Sequence, residues 1–305
     1  MCAAWRNFVS ERGGRPFLFD TVASYPGHRD TREKYLDTAD RNGFAEATVA
    51  APVVIADDSD LLEVIPLQNR LYGCDLERVT APAVLLESSC VLVLSHIKGH
   101  ELTGFGGALK NLGMGCVSNE TKRAQHLVNM PQFNEGGCDG CGECAESCPT
   151  DAITMVDGRP EREPGGCIAC STCLLRYPAD GWDWPKGSKE RLQVYMAHVA
   201  AAVLSSCTGN VGFMNFIQDV VPLCDCAASP GEPIVRDVGI VFSRDPVAAD
   251  KASLDLVDRS SIIPGSTTAS PPDLLGKLHG TDSLVQLTVA EELGAGALRY
   301  QMAEV

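Results

Sequence analysis

The sequence predicts an α/β protein: a body of parallel strands with helices on its faces, interrupted by a small cysteine-rich insert. Three observations lead to this. Short apolar runs without alternation, as in strands buried on both faces, recur between helical stretches over residues 1–128. Helix and strand patterns resume over residues 188–305, completing the body. Between them, residues 129–187 are dense in Cys and Gly and carry little continuous apolar pattern. The chain is thus read as a first α/β part (1–128), an insert (129–187) and a second α/β part (188–305).

Taken in order, Ala3 to Arg12 reads as a helix stopped by Gly13-Gly14, and Pro16 to Asp20 as a short buried strand. Val53 to Ala56 and Cys90 to Ser95 repeat that strand pattern. The opening unit has no strand before its helix, so it is either capped differently or N-terminally short. In the insert, Ala152 to Val156 reads as a strand followed by a tight turn at Asp157-Gly158. Ser188 to Leu204 reads as an amphipathic helix and Arg236 to Ser243 as a strand. Asp245-Pro246 is a helix start, because Asp caps free backbone donors and Pro costs nothing at the first helical position. That helix runs to Val257, a loop covers Ile263 to Pro272, and a last helix lies near Leu284 to Leu293.

Composition excludes some function classes. Lys plus Arg number 25 against 40 Asp plus Glu, a net charge of −15 over 305 residues. Such a field repels phosphodiester backbones and anionic lipid, so neither nucleic acid nor an acidic membrane surface is an expected partner. No run of about eighteen apolar residues is present, so no membrane span is expected. The start, MCAAWRNF, lacks the layout of a secretory signal, and a cytoplasmic location is expected. In a reducing compartment, fourteen cysteines point to metal rather than disulfides.

Cys138, Cys141, Cys144 and Cys148, followed by Pro149, spell C-x2-C-x2-C-x3-C-P. Three thiolates at this spacing close around corners of an iron-sulfur cube, while the fourth is carried on to a different cluster. Zinc suits four thiolates too, but its ligands usually come as two separated pairs. The run recurs 29 residues on at Cys167, Cys170 and Cys173. Over roughly residues 134 to 185 the insert resembles a bacterial two-cluster ferredoxin domain, a small α+β iron-sulfur fold. The resemblance implies a complete 4Fe-4S set of Cys148, Cys167, Cys170 and Cys173. It implies a second cluster on Cys138, Cys141 and Cys144, whose fourth ligand is unknown because Tyr177 stands where the motif has cysteine, before Pro178. That cluster is a three-iron cluster, a cube with another fourth ligand, or absent; an occupied site with an unusual ligand is the favoured reading.

In Ser95 to Cys116, two histidines and Lys98 lead through a glycine-rich turn to a helix holding Lys110 and Asn111. Gly104, Gly106 and Gly107 permit close backbone approach, and free helix N–H groups beside lysines can hold a small anionic ligand. A glycine-packed strand-to-helix junction with solvated lysines explains the composition equally well. His96, Lys98, His100 and Lys110 are candidate catalytic residues. Cys224 and Cys226, two apart, face one side of an extended segment, with Cys116 a third thiol for a metal if the segments meet. Small buried hydrophobes are the alternative for these thiols. Cys2, Cys74, Cys90 and Cys207 read as packing residues; His28, His126, His198 and His279 read as structural or surface groups.

Together with VPLCDC, PIVRDVGIVFSRDPVAADKASLDLV and VQLTVAEELGAGALRY, these segments resemble the domain of unknown function 362 family with an inserted ferredoxin module. The resemblance implies an α/β body binding a small molecule or metal, joined to iron-sulfur clusters. Fainter similarity of the His, Lys and Gly-rich segment to lactate-racemase-type proteins suggests an organic ligand. The leading expectation is electron transfer through the clusters, to a redox partner protein or to a site in the α/β body. One alternative is an iron-sulfur-dependent enzyme acting on a small anionic substrate where residues 95–116 meet 224–226. The other is a cluster-stabilised binding or sensing protein without turnover.

Overall fold

The computed structural model describes residues 2–57, 61–163, 165–175, 181–227 and 229–304. The first elements are α1 (Cys2–Ser10), β1 (Leu18–Asp20), α2 (Arg32–Arg41), α3 (Glu46–Val49), β2 (Val53–Ile55), β3 (Leu62–Pro66) and β4 (Arg78–Pro82). Next come α4 (Ala83–Leu86), β5 (Cys90–His96), β6 (Lys98–His100), β7 (Gly104–Gly106), α5 (Ala108–Lys110) and α6 (Asn119–His126). The cysteine-rich stretch holds β8 (Gln132–Phe133), α7 (Glu143–Glu146), β9 (Ile153–Val156), β10 (Arg159–Arg162), α8 (Thr172–Leu175) and β11 (Trp182–Asp183). The chain continues with α9 (Ser188–Ser206), β12 (Asn210–Ile217), β13 (Gly239–Ser243), α10 (Pro246–Arg259), α11 (Leu274–His279) and α12 (Leu284–Glu292).

This is a mixed α/β architecture whose described strands form several small sheets. The largest orders β13-β12-β5, with β12 parallel to β5 and antiparallel to β13. The chain divides into two compact units, residues 1–63 with 118–186 and residues 64–117 with 187–305.

In the first unit β1 and β2 form a parallel pair, Leu18 opposite Val53 and Asp20 opposite Ile55. Helix α2 starts at Thr31, whose hydroxyl accepts from Lys34 N–H and so satisfies one of the free donors of the first turn. Lys122 on α6 is buried and donates to the Thr21 hydroxyl and the Val22 carbonyl at the end of β1.

In the second unit α9 is buried nearly all round: every residue from Leu192 to Ala200 is inside. The amphipathic reading of this helix therefore fails; it threads the core, with Leu192 and Met196 fully buried, as are Phe105, Leu109, Leu112 and Leu287 elsewhere in the unit. Helix α10 begins as the sequence predicts, with Asp245 accepting from Ala248 N–H and Pro246 in the first turn. The stretch expected to be a glycine turn and helix is instead a hairpin, β6 with β7, followed by the single turn α5 and a π-helical turn over Asn111–Gly115.

Candidate functional site

The cysteine-rich segment repeats in its backbone as well as in its sequence. Gly140 and Gly142 have positive φ, and so do Ala169 and Ser171, each 29 residues further on. A positive φ costs a non-glycine residue about 1 kcal/mol or more, so the second copy holds its cysteine loop against a local penalty. Helix α8 follows α7 at the same offset. The strands obey it too: Ile153 pairs with Arg162 in the β9–β10 hairpin, and Trp182 pairs with Phe133 between β11 and β8. Each pair is made of one strand from each half.

Cys148, Cys167, Cys170 and Cys173 line one small cavity, with Pro131 and Ile153 among its walls. This is the set that the first copy's fourth cysteine was expected to complete. Burial alone would push the Cys148 thiol up. The N–H groups of Thr150, Ala152 and Ile153 and the Thr150 hydroxyl donate to its sulfur and bring it below the ordinary thiol value. Cys173 is driven to about 12 by burial first and then by Cys170 and Cys167. Cys144 is raised by burial, with charge on Cys141 and Cys138 adding to it and the Trp182 indole N–H opposing it. Both triplets are thus close enough for their thiolates to repel. Trp182, its ring tilted 60° to that of Phe133 at 5.6 Å and capped by Arg162, closes the Cys144 side with Ile153.

No cysteine whose side chain is described is in a disulfide. Among the described residues no three His, Cys, Asp or Glu side chains gather tightly enough for a single metal ion. A cube, which takes its thiolates at separate corners, needs no such gathering. Tyr177 lies outside the described residues.

A second constellation sits in the other unit. His96, at the end of β5, holds Asp225 at 3.0 Å through Nδ1, and its Nε2 meets the Gln218 carbonyl at 2.8 Å. Lys98 Nζ lies 3.2 Å from Asp225 and donates to the His96 carbonyl. The Asp225 hydrogen bond raises the His96 pKa. Burial would push Asp225 up, but the His96 hydrogen bond and the Lys98 charge hold it at about 2. Lys98 and Lys110 converge over Gly106: a Cβ there would stand 3.1 Å from Lys110 Cδ and 3.3 Å from Lys98 Cε. Both lysines act on Cys224, whose sulfur also accepts from the Cys226 N–H at 3.5 Å.

The N–H groups expected to greet an anion are already engaged. Ala108 and Leu109 donate to the carboxylate of Asp250 at 2.7 and 2.9 Å. Asp250 is fully buried and also accepts from Asn215 Nδ2 at 2.8 Å. Burial raises it to about 6 despite these donors. A Cβ on Gly107 would fall 2.4 Å from Asp250 Oδ1, so glycine there makes the approach possible. Asn111 Nδ2 turns inward to the Leu94 carbonyl and Ser95. His100 Nδ1 accepts from Leu102 N–H within its own hairpin, and Gly104 has a positive φ at the other end. Cys116 is buried at the end of the π-helical turn. Of the cysteines read as packing residues, Cys74 is buried and Cys207 half-buried, whereas Cys90 is exposed at the start of β5. His198 is structural, buried between the Leu71 N–H and the Val194 carbonyl.

The family model for the domain of unknown function DUF362 matches residues 1–255. The chain belongs to the DUF362 family. The DUF362 match encloses both constellations, from His96 through the cysteine copies to Asp250. No curated protein matches this DUF362 chain. A crystal structure of a protein from Thermotoga maritima shares 10% identity with it at a TM-score of 0.37, over 85% of this chain and 56% of that one. The DUF362 chain thus spans little more than half the length of that protein.

Proposed function

We propose that the chain is an iron-sulfur redox protein whose ferredoxin-like α+β segment carries two clusters and exchanges electrons with a partner protein. The observation that carries this reading is the 29-residue repeat, which governs cysteine spacing, loop conformation and strand pairing alike. Cys148, Cys167, Cys170 and Cys173 would hold one 4Fe-4S cluster; Cys138, Cys141 and Cys144 would hold the second with a fourth ligand of another kind. When bound, such clusters pass single electrons at potentials tuned by burial and hydrogen bonds to sulfur. The residues supply those terms: N–H donors to Cys148, the Glu143 N–H to Cys141 at 3.4 Å, and the Thr172 hydroxyl beside Cys170 at 3.2 Å. Trp182, Phe133 and Ile153 keep water from the Cys144 side. The net charge of −15 suits a basic redox partner and faster encounter at low salt.

Protein purified without oxygen is expected to be brown and to carry iron and sulfide for two clusters, with paramagnetic signals after dithionite reduction. Stoichiometric zinc in colourless protein would end the proposal. Tyr177→Cys is expected to change the spectrum or potential of one cluster and leave the other as it was. An unchanged spectrum would mean that Tyr177 does not occupy the missing ligand's register.

A further inference from the structure

The Cys224-Asp225-Cys226 segment has an organisation that electron transfer through clusters leaves unused. A turn is closed by Ala227 N–H donating to the Cys224 carbonyl at 2.8 Å. Such turns bring their end Cα atoms within about 7 Å, and Cys226 stands one residue inside that span. The two cysteines are therefore within the Cα range of about 4.4–6.8 Å that a disulfide bridges. Their surroundings are unequal. Cys226 is exposed and Cys224 is half-buried, with Cys226 N–H directed at its sulfur and the stems of Lys98 and Lys110 nearby.

We propose that Cys224 and Cys226 form a redox-active pair that exchanges, as dithiol and disulfide, with a low-molecular-weight thiol bearing carboxylates. In the forward direction a substrate thiolate attacks the exposed sulfur of Cys226. The Cys224–Cys226 bond breaks and Cys224 leaves as a thiolate beside the two lysines. A second substrate thiolate then attacks the substrate sulfur of the mixed disulfide, releasing substrate disulfide and Cys226. Two electrons pass from two substrate thiols to the protein disulfide. One substrate proton ends on Cys226 and the other goes to water. The hydrogen bond from Cys226, before the charges of Lys110 and Lys98, holds the Cys224 thiol below its ordinary value against burial. A stabilised leaving thiolate favours the reduced pair, so the disulfide is a ready oxidant. Lys110, whose charge acts on Cys224, gives a substrate carboxylate a cation, while Lys98 is held by Asp225.

The proposal stands on the second unit and does not depend on the iron-sulfur reading; its readout is the peptide bearing residues 224–226, not iron content. Full-length protein would be equilibrated anaerobically with mixtures of reduced and oxidised glutathione, quenched in acid and mapped by mass spectrometry. The expected result is a reversible Cys224–Cys226 disulfide, reduced about tenfold or more readily than glutathione disulfide. Lys98→Met combined with Lys110→Met is expected to shift the balance toward disulfide by about tenfold, the direction in which a less stabilised thiolate moves it. In Cys224→Ser the glutathione adduct is expected to accumulate on Cys226. The proposal is overturned if no Cys224–Cys226 bond forms at any ratio, or if the lysine variants leave the ratio unchanged. It is equally overturned if the exposed Cys90 takes up glutathione as readily as Cys226.

Discussion

Cys170→Ser is expected to remove one cluster and leave the other, so that iron and acid-labile sulfide both fall to about half. A serine hydroxyl is a poorer ligand for cluster iron than a soft thiolate, and this cavity, unlike the site of Cys138, Cys141 and Cys144, is lined by four cysteines. Because Cys148 comes from the first copy and Cys167, Cys170 and Cys173 from the second, Cys148→Ser should have the same outcome as Cys170→Ser. Cys141→Ser should remove the other cluster instead. Iron and sulfide assays with electron paramagnetic resonance separate the cases. If Cys148→Ser and Cys141→Ser lost the same signal, the crossed ligation would be wrong and each copy would hold its own cluster.

The second large effect is at Asp250. Asp250→Ala is expected to destabilise the protein by about 3–5 kcal/mol, since it leaves three buried donors without their acceptor. In a body of this size that is a fall of about 10 °C in Tm. The same residue imposes a pH dependence whose sign follows from its raised pKa. Between the ordinary carboxylate value and about 6 the folded state binds the proton more tightly than the unfolded chain. Its stabilising contribution is therefore complete below that window and lost as pH rises through about 6. Asp250→Asn keeps the shape but turns an amide toward a backbone donor; it should lower Tm and flatten the pH 4–6 slope relative to wild type. A slope identical in the two proteins would show that Asp250 does not titrate there.

How much of this was legible in the sequence varied with the kind of signal. The cysteine copies could be read because their spacing is written in the sequence and recurs 29 residues on. The strand over Ile153–Val156, its turn at Asp157-Gly158 and the capped start of α10 could be read because local rules fix them. Strand β12, which joins β5 to β13, passed unnoticed, because Asn210, Gly212 and Asn215 break its apolar pattern. Asn215 is there to reach Asp250 and Ser253, a contact no local window contains. Asp250 was missed for the same reason: on a helix it reads as one more surface carboxylate. The expected helix after Gly107 proved a single α turn running into a π-helical turn over Asn111–Gly115, and the buried carboxylate of Asp250, reaching in from α10, caps its first N–H groups.

The pairing of Phe133 with Trp182 brings the first and last strands of the cysteine-rich stretch side by side, with Asn134 N–H donating to the Gly181 carbonyl at 3.0 Å. Neighbouring strands lie about 4.8 Å apart. The two ends of the stretch therefore stand one strand spacing apart. A chain that acquired or shed it would have to bridge no more than the gap of an ordinary turn.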